Sequence, residues 1–132
     1  MRHPQAGSVA EFAEGSRVPV LNGGDGANEH PTQALLDLYT IRKELRSNGR
    51  GIDGLRIAMI GDLKHGRTVH SLCKLLCLFQ NVSLCLVSPK ELAMPEYIVE
   101  ELRSAGHRVV ITDDLASSIG NIDIAYSTRI QE

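Results

Sequence analysis

The sequence has no apolar run long enough to cross a bilayer. Stretches such as Val82–Val87 fall far short of the roughly 20 residues that a spanning helix requires. Residues 1–17 lack the apolar core of a secretory signal, so a cytoplasmic protein is expected. No excess of positive charge is present either: 14 Lys+Arg against 16 Asp+Glu leave a net charge of −2. Without a broad positive field, a nucleic acid or an anionic membrane surface is a poor partner. Cysteine is scarce, and Cys73, Cys77 and Cys85 cannot all pair. Cys73 and Cys77 stand four residues apart in a helical apolar pattern, not in C-x-x-C, so all three read as small core residues. His3, His30, His65, His70 and His107 show neither H-x-x-x-H nor H-E-x-x-H spacing, and no metal is expected. No Ser or Cys stands in a nucleophile elbow, which leaves covalent catalysis without support. Tryptophan is absent, yet 42% hydrophobic and 23% charged residues are ordinary for a globular domain.

A chain of 132 residues can bury about 70% of its unfolded surface and so build a core without disulfides. The chain opens on Arg2-His3-Pro4 and stops at Arg129-Ile130-Gln131-Glu132, just after an apolar strand pattern. Domain boundaries normally fall in polar linkers, so a section of something larger is expected.

The pattern predicts a short helix over Val9–Ala13 and a short strand over Val18–Leu21, followed by the turn-rich run Asn22–Asn28. A long helix follows, with His30 as N-cap and Pro31 first. Leu35, Leu38, Tyr39 and Leu45 recur at helical spacing, and the helix ends near Ser47-Asn48-Gly49. Strands are predicted at Leu55–Ile60, Val82–Val87, Arg108–Thr112 and Ile122–Tyr126. Helices are predicted between them at Thr68–Phe79, Tyr97–Ala105 and Asp114–Ile119, the last opened by Asp113 or Asp114. This alternation implies a doubly wound α/β fold, Rossmann-like, with a parallel sheet and helices on both faces.

Ligands of such sheets bind beyond the carboxyl ends of the strands. There the loop Gly61-Asp62-Leu63-Lys64-His65-Gly66-Arg67-Thr68 gathers three basic side chains. Its glycine spacing fits neither a dinucleotide fingerprint nor a P-loop. Arg67 at a helix start suits a small anion, or is simply a surface arginine; Arg129, with Gln131 two residues on, stands at the end of the last strand. On one sheet edge the two arginines would form a carboxylate clamp. His30 at a helix N-cap is either a structural cap or a neutral donor able to polarise a carbonyl, with Gln33 at the same helix end.

The segments Met1–Pro4, Asn22–Gly26, His30-Pro31-Thr32-Gln33, Gly61–Leu72 and Thr128–Gln131 resemble the aspartate carbamoyltransferases in residue, order and spacing. The His-Pro-x-Gln element is similar to the ornithine carbamoyltransferases too, but Asp62–Leu72 and the Thr-Arg-Ile-Gln ending resemble the aspartate enzymes. The resemblance implies a carbamoyl transfer from carbamoyl phosphate to L-aspartate, giving N-carbamoyl-L-aspartate and phosphate in pyrimidine biosynthesis, without a cofactor. It implies that Arg2 and His30 meet carbamoyl phosphate and its carbonyl oxygen, and that Gln33 holds the carbamoyl amino group. Arg67, Arg129 and Gln131 would bind aspartate. It implies a division into 1–46, the end of a carbamoyl-phosphate domain with an interdomain helix, and 50–132, an aspartate-binding domain incomplete at its C-terminus. Homotrimers with shared sites, regulatory chains or fused pyrimidine-pathway domains are further implications.

The family's Ser-Thr-Arg-Thr phosphate motif, a Ser and Lys lent by a neighbouring subunit, and a His-Pro-Leu-Pro element are not in these 132 residues, so the chain alone is expected to be inactive. Two other readings remain at this stage. One is a non-catalytic dicarboxylate-binding or partner-docking module; the other is a nucleotide-binding α/β domain, for which both phosphate motifs are missing.

Overall fold

The computed structural model describes residues 1–26 and 28–128. Its elements run α1 (Ser8–Glu14), α2 (Pro31–Ser47), β1 (Arg56–Ile60), α3 (Arg67–Leu76), β2 (Ser83–Val87), α4 (Glu96–Ser104), β3 (Arg108–Thr112), α5 (Leu115–Ser118) and β4 (Ile124–Ser127). A single 3₁₀ turn at Lys90–Leu92 separates β2 from α4 and was not foreseen in the pattern. No helix of the described residues is long and apolar enough to cross a membrane.

α2 begins where capping chemistry places it: the His30 ring accepts the Gln33 N–H, and Pro31 takes the first position, where a missing N–H has no helical partner to lose. Its inward face is Ala34, Leu38, Ile41 and Leu45, while Leu35, Leu36 and Tyr39 stand in solvent. The apolar stripe is therefore rotated from the one predicted through Leu35 and Tyr39. Two families of apolar residues share this helix, and only one of them faces the core, against α3.

The strand predicted over Val18–Leu21 does not form. Pro19 has no N–H for a ladder, Val18 is tied back to the Ser16 hydroxyl, and both Val18 and Leu21 are exposed. Instead, residues 1–3 run beside residues 21–26: the Gly23 N–H donates to Met1 O, His3 N–H to Gly24 O and Gly26 N–H to His3 O.

The sheet has the order β3-β2-β1-β4 with every pairing parallel. The chain steps from β1 to β2 to β3 in one direction, crossing through α3 and α4, then returns over the sheet to β4 through α5. Right-handed crossovers thus put α3 and α4 on one face and α5 on the other, which is the doubly wound arrangement. Strand alternation places Ile57, Met59, Leu84 and Leu86 on the first face, where they pack with Leu72, Leu76, Ile98 and Leu102 into one core. Ala58, Cys85 and Val110 occupy the opposite face, against the four-residue α5. That face is thinly covered, and Val110 remains 48% exposed.

Cysteine positions follow the same asymmetry. Cys73 is buried in the core, where burial pushes its thiol far above the usual range, whereas Cys77 and Cys85 are half-buried; all three are free. The expectation of three core cysteines holds fully for Cys73 alone.

β4 starts at Ile124 instead of Ile122, just after Asp123, whose backbone N–H donates to Arg56 O at 2.7 Å. The Asp123 carboxylate accepts from Arg50 Nη1 and Nη2 at 2.7 and 3.0 Å, from Arg56 Nη2 at 2.8 Å and from the Arg56 N–H at 2.9 Å. Those arginines hold the Asp123 carboxyl well below the usual carboxylate range. The cluster pins the amino ends of β1 and β4 together and leaves their carboxyl ends to frame a site.

Candidate functional site

β1 and β4 are neighbours whose chain connections leave on opposite faces, so their carboxyl ends mark the topological switch point of the sheet, the usual position for a ligand crevice. A cleft of about 620 Å³ opens there. Its walls come from three stretches: Pro4, Gly26 and His30 on one side, Asp62 to Thr68 below, and Tyr126 to Thr128 opposite.

The floor is shaped by Asp62, 1% exposed, whose carboxylate accepts from the Lys64 N–H at 3.1 Å, the His65 N–H at 3.0 Å and His65 Nδ1 at 3.0 Å. Burial alone would raise its pKa, but the hydrogen bonds from His65 and Lys64 outweigh it and hold the carboxyl below its ordinary range. A carboxylate only accepts, so His65 Nδ1 carries the proton in this bond. Gly61 allows the two strand ends to approach. It adopts φ +118°, and a Cβ there would lie 2.6 Å from Thr128 Oγ1 and 2.7 Å from Thr128 O.

Arg67, the first residue of α3, sits half-buried against the amino-terminal turn. Its Nη1 donates to Gly26 O at 2.7 Å, which engages one of its five N–H groups. Gly24 lies over both Arg67 and His30, and a Cβ at Gly24 would stand 3.4 Å from Arg67 Nη1 and 3.5 Å from His30 Cδ2. The turn that carries Gly24 is held by Asp25, 2% exposed, which accepts from the side chains of Asn22 and Asn28 and from the N–H groups of Gly7 and Glu29. Burial raises the Asp25 pKa, yet these four donors overcome it and the carboxyl is lowered overall.

His30 is fixed from both ends. Its backbone N–H donates to Ser71 Oγ at 2.9 Å, and its Nδ1 accepts the Gln33 N–H at 3.3 Å. An Nδ1 that accepts carries no proton, so the neutral ring bears its hydrogen on Nε2 and is a donor there. Burial first, then the charges of Arg67 and Arg2, lower its pKa and keep the ring neutral near pH 7. Ser71 in turn donates to Glu29, which also pairs with Lys74, so the His30 turn is anchored on α3.

Of the residues named from the sequence, His30 and Arg67 line the cleft together. Arg2 is exposed and does not line it, although its charge is felt by His30. Gln33 stands at the same helix end, half-buried, but outside the cleft lining; its Nε2 donates to Asp37 Oδ1 at 2.9 Å. Arg129 and Gln131 lie outside the described residues. Asp25, Asp37, Asp62 and Tyr126 were not singled out as site residues by sequence reasoning. The Tyr126 hydroxyl donates to Asp37 Oδ2 at 2.7 Å, and burial together with that bond pushes its pKa up to about 12. The spacing Gln33 to Asp37, one helical turn, offered a signal for the Gln33 contact but none for the Tyr126 one. Among the described residues no group of three or more His, Cys, Asp or Glu could hold a metal.

The arrangement can bind a small anion between a helix-start arginine and strand-end polar groups, and can present a neutral imidazole N–H to a carbonyl oxygen. Residues 1–43 match the model of the aspartate/ornithine carbamoyltransferase carbamoyl-P binding domain, and residues 53–132 that of the Asp/Orn binding domain. The chain is 86% identical over its whole length to the aspartate carbamoyltransferase catalytic subunit of Cellvibrio japonicus and 76% identical to that of Saccharophagus degradans, covering 39% of each. It thus spans about two fifths of the curated relatives it matches. Among solved structures, the catalytic subunit of M. jannaschii aspartate transcarbamoylase is similar at 51% identity and TM-score 0.85, over 98% of this chain and 41% of that one. The Trypanosoma cruzi aspartate transcarbamoylase in complex with aspartate and phosphate is similar at 42% identity and TM-score 0.88, over 99% of this chain and 44% of that one.

Proposed function

Because the chain belongs to the aspartate/ornithine carbamoyltransferase family, we propose that it supplies the aspartate-binding half, and part of the carbamoyl-phosphate half, of an aspartate carbamoyltransferase. The observation that carries this reading is the placement of His30 and Arg67 in one cleft at the switch point, at the meeting of the two matched segments. We place the division between 1–46 and 50–132, with α2 as the helix that passes from one part to the other.

In the reaction, the amine nitrogen of L-aspartate attacks the carbonyl carbon of carbamoyl phosphate. An N–C bond forms, the C–O bond to phosphate breaks, the phosphate leaves with its electron pair, and the proton lost by the amine passes to the departing phosphate. An acyl phosphate is already activated, so orientation and oxyanion stabilisation matter more than a nucleophilic side chain. His30 donates from Nε2 to the carbonyl oxygen as negative charge develops on it, and its neutrality keeps that proton from being a net charge that must be desolvated. Arg2 adds positive charge near the same point. Gln33 holds the carbamoyl amino group. Arg67 takes a carboxylate of aspartate with the donors Gly26 leaves free, and Arg129 and Gln131 complete the aspartate site. Aspartate transcarbamoylase from T. cruzi has been solved with carbamoyl phosphate and aspartate together, and this pairing of ligands supports the same assignment here.

The same reading carries a homotrimeric, cytoplasmic enzyme of pyrimidine biosynthesis that needs no cofactor, with regulatory chains or fused pathway domains as further partners. The 132 residues by themselves lack the phosphate-binding motif and are inactive alone.

The test uses the C. japonicus subunit with residues 1–132 replacing its matching stretch, hereafter the rebuilt subunit. Calorimetry with N-(phosphonacetyl)-L-aspartic acid, a ligand of the T. cruzi enzyme, gives saturable binding that weakens at least tenfold in Arg67→Ala. No heat from a folded rebuilt subunit overturns the reading and favours a docking module.

A further inference from the structure

Asp37 and Tyr126, neither of which enters the chemistry described above, join α2 to β4 beside the cleft and hold Gln33, which does. Gln33 Nε2 donates to Asp37 Oδ1 at 2.9 Å, and the Tyr126 hydroxyl donates to Asp37 Oδ2 at 2.7 Å. We propose that Asp37, braced by Tyr126, is a positioning residue that locks the Gln33 amide with its carbonyl oxygen free, so that the site accepts from the carbamoyl amino group and selects a carbamoyl over an acetyl phosphate. This rests on the reading of Gln33 as the residue that meets that amino group.

The two ends of a glutamine amide have nearly the same shape and opposite hydrogen-bonding character. Left alone, Gln33 could present either end, and an outward NH₂ would face the substrate's NH₂ donor to donor. A carboxylate is acceptor-only, so a neighbouring Asp37 can bond Gln33 only through Nε2. That interaction leaves Oε1 without a partner among the described residues and available as an acceptor. The spacing of four residues on one helix makes the Asp37 contact local and inexpensive in entropy. Its second oxygen would otherwise be free to swing away, but the Tyr126 phenol holds it from β4, 89 residues along the chain. Tyr126 itself lines the cleft, so the brace also ties the amide's orientation to the strand end, where Ser127 and Thr128 line the same cleft. The pair therefore links recognition of one substrate to the wall that receives the other.

Acetyl phosphate is the matched probe, because a methyl group replaces the amino group and cannot donate. In the rebuilt subunit, the quantity to measure is the KM for carbamoyl phosphate against the competitive inhibition constant of acetyl phosphate, with the KM for aspartate as control. Asp37→Asn can offer its own NH₂ or C=O to Gln33, and so frees the amide to flip. The preference for carbamoyl phosphate is expected to fall roughly three- to tenfold, the worth of one hydrogen bond, with the aspartate KM within about twofold. Tyr126→Phe is expected to shift the preference in the same direction by less, and it carries the test if Asp37→Asn does not assemble. Gln33→Ala separates the two layers of the proposal. A preference that drops in Gln33→Ala but is unchanged in both Asp37→Asn and Tyr126→Phe overturns the positioning role. A preference unchanged in Gln33→Ala overturns the underlying reading of Gln33 and the proposal with it.

Discussion

Arg67 Nη1 donates to the carbonyl oxygen of Gly26 at 2.7 Å, joining the first turn of α3 to a loop 41 residues earlier. That bond spans the two matched family segments and fixes the guanidinium plane while leaving most of its fork unengaged. Arg67→Ala in the rebuilt subunit is expected to raise the KM for aspartate by roughly 10- to 100-fold, the range for a lost charge-assisted pair, with a smaller change in the KM for carbamoyl phosphate. Arg67→Lys is expected to recover only part of the loss, since an ammonium cannot bond a carboxylate and the Gly26 carbonyl in one plane. Steady-state kinetics with each substrate varied would check both.

His30 donates to an oxygen in the proposed reaction, and its substitution should therefore act on turnover more than on binding. His30→Ala is expected to lower kcat by about 100-fold or more, as for loss of a single oxyanion donor. His30→Asn, whose side-chain amide can still donate, should retain more activity than the alanine variant.

Acid should destabilise this chain earlier than its carboxylates alone would dictate. His30 and His70 both have lowered pKa values, from burial first, so the unfolded state takes up protons that the folded state refuses. Their stabilisation is fully present above the unfolded histidine pKa, about 6.5, and is lost as pH falls through the folded values below it. Asp25 and Asp62, also lowered, add a second loss below about pH 4. Thermal midpoints of the chain from pH 8 to pH 3 should be level above pH 7 and then decline in two stages. A midpoint that rises between pH 7 and 5.5 would contradict the assignment of the two rings as neutral in the folded chain.

Gly61→Ala is expected to damage the site without touching a ligand. A Cβ at φ +118° would press on Thr128 Oγ1 and Thr128 O, so the backbone must shift at the point where β1 and β4 release their loops. A cost of about 1–3 kcal/mol is expected from denaturant unfolding, with loss of aspartate affinity. By contrast Gly54→Ala, at φ +75° with nothing within 4 Å, strains the backbone but displaces no side chain and should leave aspartate affinity unchanged.

The parallel sheet was legible because its strands are short apolar runs separated by helices of clear period, and β1 to β3 fall within a residue of where the pattern puts them. The N-cap role of His30 was legible from the Pro31 that follows it. The face of α2 was not, because Leu35, Leu36 and Tyr39 mix with Ala34, Ile41 and Leu45, and composition cannot say which apolar set meets the core. Val18–Leu21 has strand-forming residues but forms no strand ladder among the described residues, and pairing is not a local property. The buried aspartates were least legible. Asp25 and Asp62 sit in turn-rich loops, where an aspartate ordinarily caps or faces water, and their importance depends on donors up to 18 residues distant. Tyr126 and Asp37 meet across 89 residues, which no periodicity signals.

The most direct measurement is product formation by the rebuilt subunit with carbamoyl phosphate and either L-aspartate or L-ornithine. With aspartate, N-carbamoyl-L-aspartate and phosphate should form in equal amounts at a rate comparable to the C. japonicus parent, with no product from ornithine. A folded rebuilt subunit that makes no N-carbamoyl-L-aspartate, or that carbamoylates ornithine instead, would contradict the assignment of this chain to the aspartate reaction.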